Sequence, residues 1–385
     1  MKGLFICMIL CGKELFNLFF NEIFLMKNNN YVAIMAGGIG SRFWPVSRVD
    51  YPKQFLDILN TGKTLIQATF DRFVQYIPVE NIYVVTSIQY KEIVEKQLPD
   101  LNPENILCEP SRKNTAPCIA YISYKLSKLN PQSNLICAPA DHLILDNTSF
   151  IKTSLEALEF TEKNNALLTL GIKPLQPNTG YGYIQYDQHA VSDNIYKVKT
   201  FTEKPDLELA KTFIASGDFL WNAGIFVWQT KNIISAFEKY LPEIHELFEG
   251  AKNTFNTQKE KETIELIYPL CLSISIDYGI LEKADNVYVI PSSFGWSDLG
   301  TWGSAYQNLE KDFHENAVAG NNIILFDSTK NIVHSNGDKL ILLQGLDDFI
   351  VVDTEDALLV CKKENEQNIK EYLAEIKRNK GEKHL

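Results

Sequence analysis

Apolar runs rich in β-branched residues recur at positions 31–35, 82–86, 134–138 and 166–171, and the stretches between them carry apolar residues at helical spacing. This alternation predicts an α/β fold with a mostly parallel sheet. Open sheets of that kind bind ligands beyond the carboxyl ends of their strands. The glycines and Arg42 of positions 37–42, Ser87, the Pro-Ala-Asp-His of positions 139–142 and Lys173 all follow predicted strand ends, so they share one rim. Between positions 201 and 306 the pattern becomes mixed. Positions 221–229 read as a buried strand and 233–248 as a helix, an elaboration of the same domain on its substrate side.

Beyond position 321 the pattern changes. Short strands at 323–326, 332–334, 340–343, 349–352 and 357–360 are separated by Asn, Gly and Asp turns and form a β module without helices. Ile369, Tyr372, Leu373 and Ile376 then stand at i, i+3, i+4 and i+7, which predicts a closing amphipathic helix. The expected division is residues 1–25 as an extension, 26–312 as the main domain and 313–385 as the module with its helix. The extension has two apolar stretches, both shorter than the ~18 to 20 residues of a membrane span. It lacks the charged start and cleavage site of a secretion signal. Met26 lies five residues before the first strand, so the expectation is an upstream stretch from too early an assigned start, with a packed N-terminal helix as the alternative.

Composition narrows the partners. At 385 residues and a net charge of −11, with no basic block, the chain lacks the electrostatic footprint of nucleic-acid binding, and neither nucleic acid nor membrane is expected as a partner. Seven cysteines without a C-x-x-C pair or a Cys/His cluster argue against a disulfide framework and structural zinc, and fit a cytoplasmic location.

Local chemistry must therefore meet any anionic ligand. The first strand runs into Gly37-Gly-Ile-Gly-Ser-Arg42, and Lys53 follows in Tyr-Pro-Lys-Gln-Phe. Closely spaced glycines let backbone N–H groups approach a phosphate, and Arg42 and Lys53 supply cations suited to a triphosphate. Two common phosphate motifs do not fit. The dinucleotide pattern would need a third glycine where Phe43 stands, and the Gly-Lys-Thr of positions 62–64 lacks the earlier glycine of a P-loop. A glycine-rich strand-to-helix bend is the plain alternative.

Taken together, Gly37-Gly-Ile-Gly-Ser-Arg-Phe-Trp-Pro and Pro52-Lys-Gln-Phe resemble the mannose-1-phosphate guanylyltransferases. So do Asn114-Thr-Ala-Pro, Pro139-Ala-Asp-His, Thr179-Gly-Tyr-Gly-Tyr-Ile, Glu203-Lys-Pro, Trp221-Asn-Ala-Gly-Ile-Phe, Ser275-Ile-Asp-Tyr-Gly and Trp296-Ser-Asp-Leu-Gly, in that family's order. The resemblance spans about residues 30 to 365. It implies a nucleotide-diphospho-sugar transferase (Rossmann-like) domain, and a β-helix-like module used for subunit association in a homo-oligomer, taken as a dimer. It also implies an enzyme joining GTP and α-D-mannose 1-phosphate with Mg²⁺. Ala223 stands where serine is common in the family and Gly279 where alanine is common, both small-for-small changes. Longer relatives carry an isomerase domain that this chain is too short to hold.

The roles that follow from the resemblance can be assigned residue by residue. Gly37, Gly38 and Gly40 would cradle the nucleotide phosphates, Arg42 would bind the β- and γ-phosphates, and Lys53 would act near the α-phosphate. Asn114 and Thr115 would contact base or ribose. Asp141 and Asp298 would hold Mg²⁺, although as lone aspartates they would otherwise read as a turn cap and a helix cap. Lys204 would bind the sugar phosphate, with Glu203, Asn222 and the backbone at Gly182 around the sugar. The Glu203–Lys204 pair also reads as an exposed ion pair, and Gly182 as a tight turn. Asn222 sits among apolar residues, where an unpartnered amide is costly. His142 is assigned a structural role, because the sugar phosphate is already ionised and no proton need be removed. Trp44, Trp221, Trp296 and Trp302 are assigned to the core. The competing readings are the same chemistry with another sugar phosphate or nucleotide, and a non-catalytic nucleotide-sugar-binding subunit.

Overall fold

The computed structural model describes residues 29–385; the expected 1–25 extension lies outside the described residues. Its first eleven strands are β1 (Asn30–Met35), β2 (Ile82–Ser87), β3 (Ile106–Glu109), β4 (Asn134–Pro139), β5 (Leu143–Ile144), β6 (Leu167–Ile172), β7 (Gly182–Ser192), β8 (Ile195–Glu203), β9 (Phe219–Gln229), β10 (Val287–Ser292) and β11 (Trp296–Ser297). Nine of them form one sheet in the order β3-β2-β1-β4-β9-β6-β10-β8-β7. Strand side chains alternate between faces. Tyr31 and Ala33 of β1 thus join one core, while Val32 and Ile34 join another on the opposite face. A sheet buried on both sides explains why β1 and β4 read as continuous apolar runs rather than alternating ones.

The parallel pattern predicted from the sequence holds across β3, β2, β1 and β4, and again between β6 and β10. Elsewhere the sheet is mixed. β9 runs antiparallel to both β4 and β6, and β7–β8 form an antiparallel hairpin whose β7 also pairs with β9. The helix predicted over 233–248 is two helices, Thr230–Tyr240 and Pro242–Gly250. Pro242 supplies no N–H and disfavours helical backbone at the residue before it, and Leu241 accordingly leaves the helix at φ −137° and ψ 58°.

The C-terminal strands are β12 (Ala317–Ala319), β13 (Ile323–Phe326), β14 (Ile332–Ser335), β15 (Ile341–Gln344), β16 (Phe349–Asp353) and β17 (Leu358–Lys362). β12, β14 and β16 pair in parallel, as do β13 and β15, while β17 closes the module antiparallel to β16. Ile323 lies opposite Ile341 and Ile332 opposite Ile350, 18 residues on in each case, while Ala317 lies opposite Ile332, 15 residues on, as in a coil of parallel strands with one shorter turn. The closing helix is Ile369–Lys380.

A third core joins module to main domain. Phe43, Trp44, Leu299 and Trp302 from one side pack with Ile332, Ile350, Val352 and Ile369 from the other. The Trp302 ring is 5.0 Å from Phe43. Polar ties reinforce the seam: Arg48 Nη2 pairs with Asp356 at 2.7 Å, and Trp44 Nε1 donates to the His384 carbonyl at 2.6 Å. Because Trp302 is fully buried at this seam, Trp302→Ala should cost about 3–5 kcal/mol in urea unfolding. A loss below about 1 kcal/mol would show that the seam carries little of the stability.

Candidate active site

The glycine loop is shaped by side chains that hold its carbonyls. Gln54 Nε2 donates to the carbonyls of Ala36 (2.8 Å) and Gly38 (2.9 Å), and Thr86 Oγ1 also donates to Ala36. Among the described residues, the N–H groups of Gly37, Gly38 and Gly40 meet no protein acceptor. They remain free for an anion. Gly40 has φ +63°, and a Cβ there would lie 2.3 Å from Lys53 Cβ, so no larger residue allows Lys53 to pass so close.

Lys53 is the centre of the arrangement. Only 3% exposed, its ammonium pairs with Asp141 Oδ2 at 2.9 Å and donates to the Asp298 and Leu299 carbonyls, each at 2.9 Å. All three protons are thereby engaged. The ammonium thus has no proton left for a direct hydrogen bond to a ligand. Burial alone would raise the Asp141 pKa, but the Lys53 ammonium, by its charge and its hydrogen bond, holds it below the usual carboxylate range.

The two-residue ribbon of β5 and β11 brings the aspartates together. Leu143 pairs with Ser297, which places Asp141 and Asp298 just outside the ribbon, on a shared cleft of about 270 Å³. Gly40, Arg42, Lys53 and Lys370 also line that cleft. Asp298 Oδ1 accepts from Tyr181 Oη at 2.7 Å and from the Gly300 N–H at 3.0 Å, which leaves Oδ2 open. Among the described residues no three His, Cys, Asp or Glu side chains form a metal cage. Two carboxylates beside a phosphate-sized cleft instead suit Mg²⁺, which usually takes one or two carboxylates plus phosphate oxygens. Arg42 donates through Nη1 to the Gly300 carbonyl at 3.2 Å, and its buried Nε has no partner among the described residues.

The expected sugar residues form an adjacent cluster. Gly182 pairs with Glu203 across the β7–β8 hairpin, and a Cβ on Gly182 would lie 2.3 Å from Glu203 Oε2. Lys204 pairs with Glu203 and is exposed, whereas Glu203 is nearly buried. Asn222 is held by three hydrogen bonds: Nδ2 donates to Asp277 at 2.9 Å, and Oδ1 accepts from Gly224 N–H and Thr169 Oγ1, which leaves one Nδ2 proton for a ligand. Asn114 begins the Thr115–Leu129 helix at φ 66°, and Thr115 Oγ1 accepts the Ile276 N–H at 2.9 Å. Neither residue lines the phosphate cleft.

A nucleotidyl transferase family model matches residues 31–315, and a MannoseP isomerase/GMP-like beta-helix domain matches residues 321–376. The chain belongs to the nucleotidyl transferase family. It is similar to the mannose-1-phosphate guanylyltransferase of Escherichia coli K12, at 33% identity over 94% of this chain and 76% of that protein. The alginate biosynthesis protein AlgA of Pseudomonas syringae pv. tomato is 34% identical over 89% of this chain and 71% of its own length. A crystal structure described as a mannose-1-phosphate geranyltransferase from Thermus thermophilus superposes with TM-score 0.81 at 29% identity, covering 91% of this chain and 99% of that one.

Several residues of this nucleotidyl transferase's cleft escaped the sequence reading. Tyr181 joins the two clusters: its hydroxyl reaches Asp298, and its ring meets Trp221 and Trp296 edge-on at 5.0 and 5.2 Å. Trp296 packs at the margin of the core. Trp44, Trp221 and Trp302 are buried, but Trp296 is only half-buried and donates through Nε1 to His142 Nδ1 at 3.1 Å. An indole only donates, so His142 Nδ1 must be the unprotonated nitrogen. Burial lowers the His142 pKa as well, which favours the neutral imidazole.

Asp277 and Glu109 carried no sequence assignment. Asp277 sits in a π-helical turn, and burial, with Glu203 nearby, raises its pKa to about 7. Glu109 lies against the glycine loop and accepts from Tyr268 Oη; burial raises it to about 7. Both lie in or near the family phrases, yet nothing in those phrases signals burial. Asp277 ionises in the unfolded chain near its ordinary value of about 4, so between pH ~4 and ~7 the folded state retains a proton that the unfolded state has lost. Its contribution to stability therefore falls across that window. Asp277→Asn keeps the acceptor for Asn222, and its thermal midpoint relative to wild type should rise from pH 4 to 7 and level off above. A pH-independent difference would refute the assignment.

Proposed function

We propose that this chain transfers GMP from GTP to α-D-mannose 1-phosphate, giving GDP-mannose and pyrophosphate. One observation carries the reading. Arg42, Lys53, Asp141 and Asp298, far apart in sequence, share a cleft beside free glycine-loop N–H groups, in a chain 33–34% identical to proteins that include a mannose-1-phosphate guanylyltransferase.

In the proposed reaction an oxygen of the sugar phosphate attacks the α-phosphorus. Its bond to phosphorus forms as the bond to the β-phosphate breaks, and the electron pair departs with pyrophosphate. The nucleophile is already ionised, which suits a cleft whose histidine is neutral with its lone pair occupied. Gly37, Gly38, Gly40 and Arg42 would bind the polyphosphate, and the field of Lys53 would favour negative charge at the α-phosphate. Asp141 and Asp298 would hold Mg²⁺. When bound, that ion neutralises charge on the triphosphate and on departing pyrophosphate. Asn114 and Thr115 would meet base or ribose, and Gly182, Glu203, Lys204 and Asn222 the sugar phosphate.

The five described cysteines are free thiols, which supports a reducing cytoplasm, and no described helix is long and apolar enough to cross a membrane. Ile324, Phe326 and Leu342 expose apolar surface on β13 and β15, which supports association of two copies through the module beginning near residue 313.

Pyrophosphate release should require GTP and mannose 1-phosphate together; ATP and glucose 1-phosphate serve as alternatives. Chelation with EDTA should abolish it and added Mg²⁺ restore it. Asp298→Ala should lower kcat by at least about a hundredfold with unchanged circular dichroism. Wild-type turnover with Asp298→Ala would remove that carboxylate from the chemistry, and release with another substrate pair would keep the mechanism but change the specificity.

A further inference from the structure

One side chain in the cleft comes from the C-terminal module, and no motif pointed to it. Lys370 is the second residue of the Ile369–Lys380 helix. Ile369, fully buried, anchors it in the core shared with Phe43 and Leu299, and the helix packs on the Ser41–Phe43 turn that carries Arg42. Leu373 and Ile376 pack on the same core. Just before the helix, Glu366 Oε2 accepts the Gly303 N–H at 2.7 Å. The backbone that presents Lys370 is thus fixed against the cleft on two sides. From there Lys370 lines the cleft with Gly40, Arg42, Asp141 and Asp298.

Three other lysines on the same segment are paired. Lys363 meets Asp348 at 2.7 Å, Lys362 meets Glu364 at 3.8 Å, and Lys377 meets Glu382 at 2.6 Å. Lys370 has no carboxylate within ion-pair distance among the described residues. It faces Arg42 and Lys204 instead, and the Arg42 charge, followed by burial and Lys204, lowers its pKa. Arg42 and Lys370, neither with a carboxylate at ion-pair distance among the described residues, repel one another, and a multiply charged anion between them would relieve that repulsion.

We propose that Lys370 binds the β- and γ-phosphates of the nucleotide alongside Arg42, and holds the pyrophosphate they become. The assignment rests on the nucleotidyl-transfer reading above. It favours the nucleotide over the sugar phosphate because Lys370 shares its cleft with Arg42 and the glycine loop, while Lys204, on the sugar side, is already paired with Glu203. The module would then be part of the catalytic unit, supplying one wall of the polyphosphate site.

The test uses the full chain with Lys370→Met, Lys370→Arg and the same-helix control Lys377→Met. Pyrophosphate with Mg²⁺ is titrated calorimetrically, and KM is measured for GTP and for mannose 1-phosphate. Lys370→Met should weaken pyrophosphate binding and raise KM for GTP by about tenfold each, the scale of one charge-assisted hydrogen bond at a partly exposed position. KM for the sugar phosphate should stay within about twofold, Lys370→Arg should recover most of the loss, and Lys377→Met should match wild type. Unchanged pyrophosphate affinity in Lys370→Met, or an effect confined to the sugar phosphate, would overturn the proposal. The titration needs no turnover. A wild type that binds pyrophosphate but transfers nothing would defeat the proposed function and leave the Lys370 comparison readable; one that binds no pyrophosphate would defeat both.

Discussion

The site depends on one buried ammonium. Lys53 has almost no contact with solvent, and removing a charge from water is costly unless every proton finds an acceptor. Here each does, in the Asp141 carboxylate and the carbonyls of Asp298 and Leu299. These partners belong to the end of β4 and to the loop after β11, while Lys53 follows the glycine loop. One cation therefore fixes three parts of the cleft relative to each other. Gly40 is part of the same constraint, since any Cβ there would collide with the lysine stem.

Charge explains the layout of the rest. The chain carries a net charge of −11, so a polyphosphate gains nothing from its long-range field and must be met by cations concentrated at one place. Arg42 and Lys370 stand at the cleft, with Lys204 close by. The acidic groups between and behind them are handled in different ways: Asp141 is held ionised by Lys53, Asp298 is fixed by Tyr181 and Gly300, and burial raises Asp277 and Glu109 to about 7, so that each is partly protonated near neutral pH. Like charges thus come close without all being ionised together.

The seam between domain and module has a similar logic. The residues that pack there, Phe43, Leu299 and Ile369, are the immediate neighbours in sequence of Arg42, Asp298 and Lys370. An apolar residue locked into a core leaves its neighbour little freedom, so the packing energy of the seam is also what orients the polar groups of the cleft.

The sequence by itself determined the alternating strands of the main domain, the coil of short strands after position 321 and the closing helix. Each depends on local periodicity, and burial on both faces of the sheet made the strands visible as unbroken apolar runs. Closely spaced glycines and a nearby charge marked the glycine loop and Arg42, whereas Lys53, Asp141 and Asp298 were singled out by the resemblance of their short phrases to a known family. Pro242 splitting a predicted helix was legible too, had the proline been weighed against the periodicity. Only the tertiary structure decided what lies opposite what. The β5–β11 ribbon pairs residues more than 150 positions apart, Trp296 meets His142 from across the fold, and the raised acids Asp277 and Glu109 are products of burial. Lys370 looks in sequence like any lysine on the polar side of a helix. Its place at the cleft is set by which face of that helix the distant core of Phe43 and Leu299 captures, and no local pattern encodes such long-range packing.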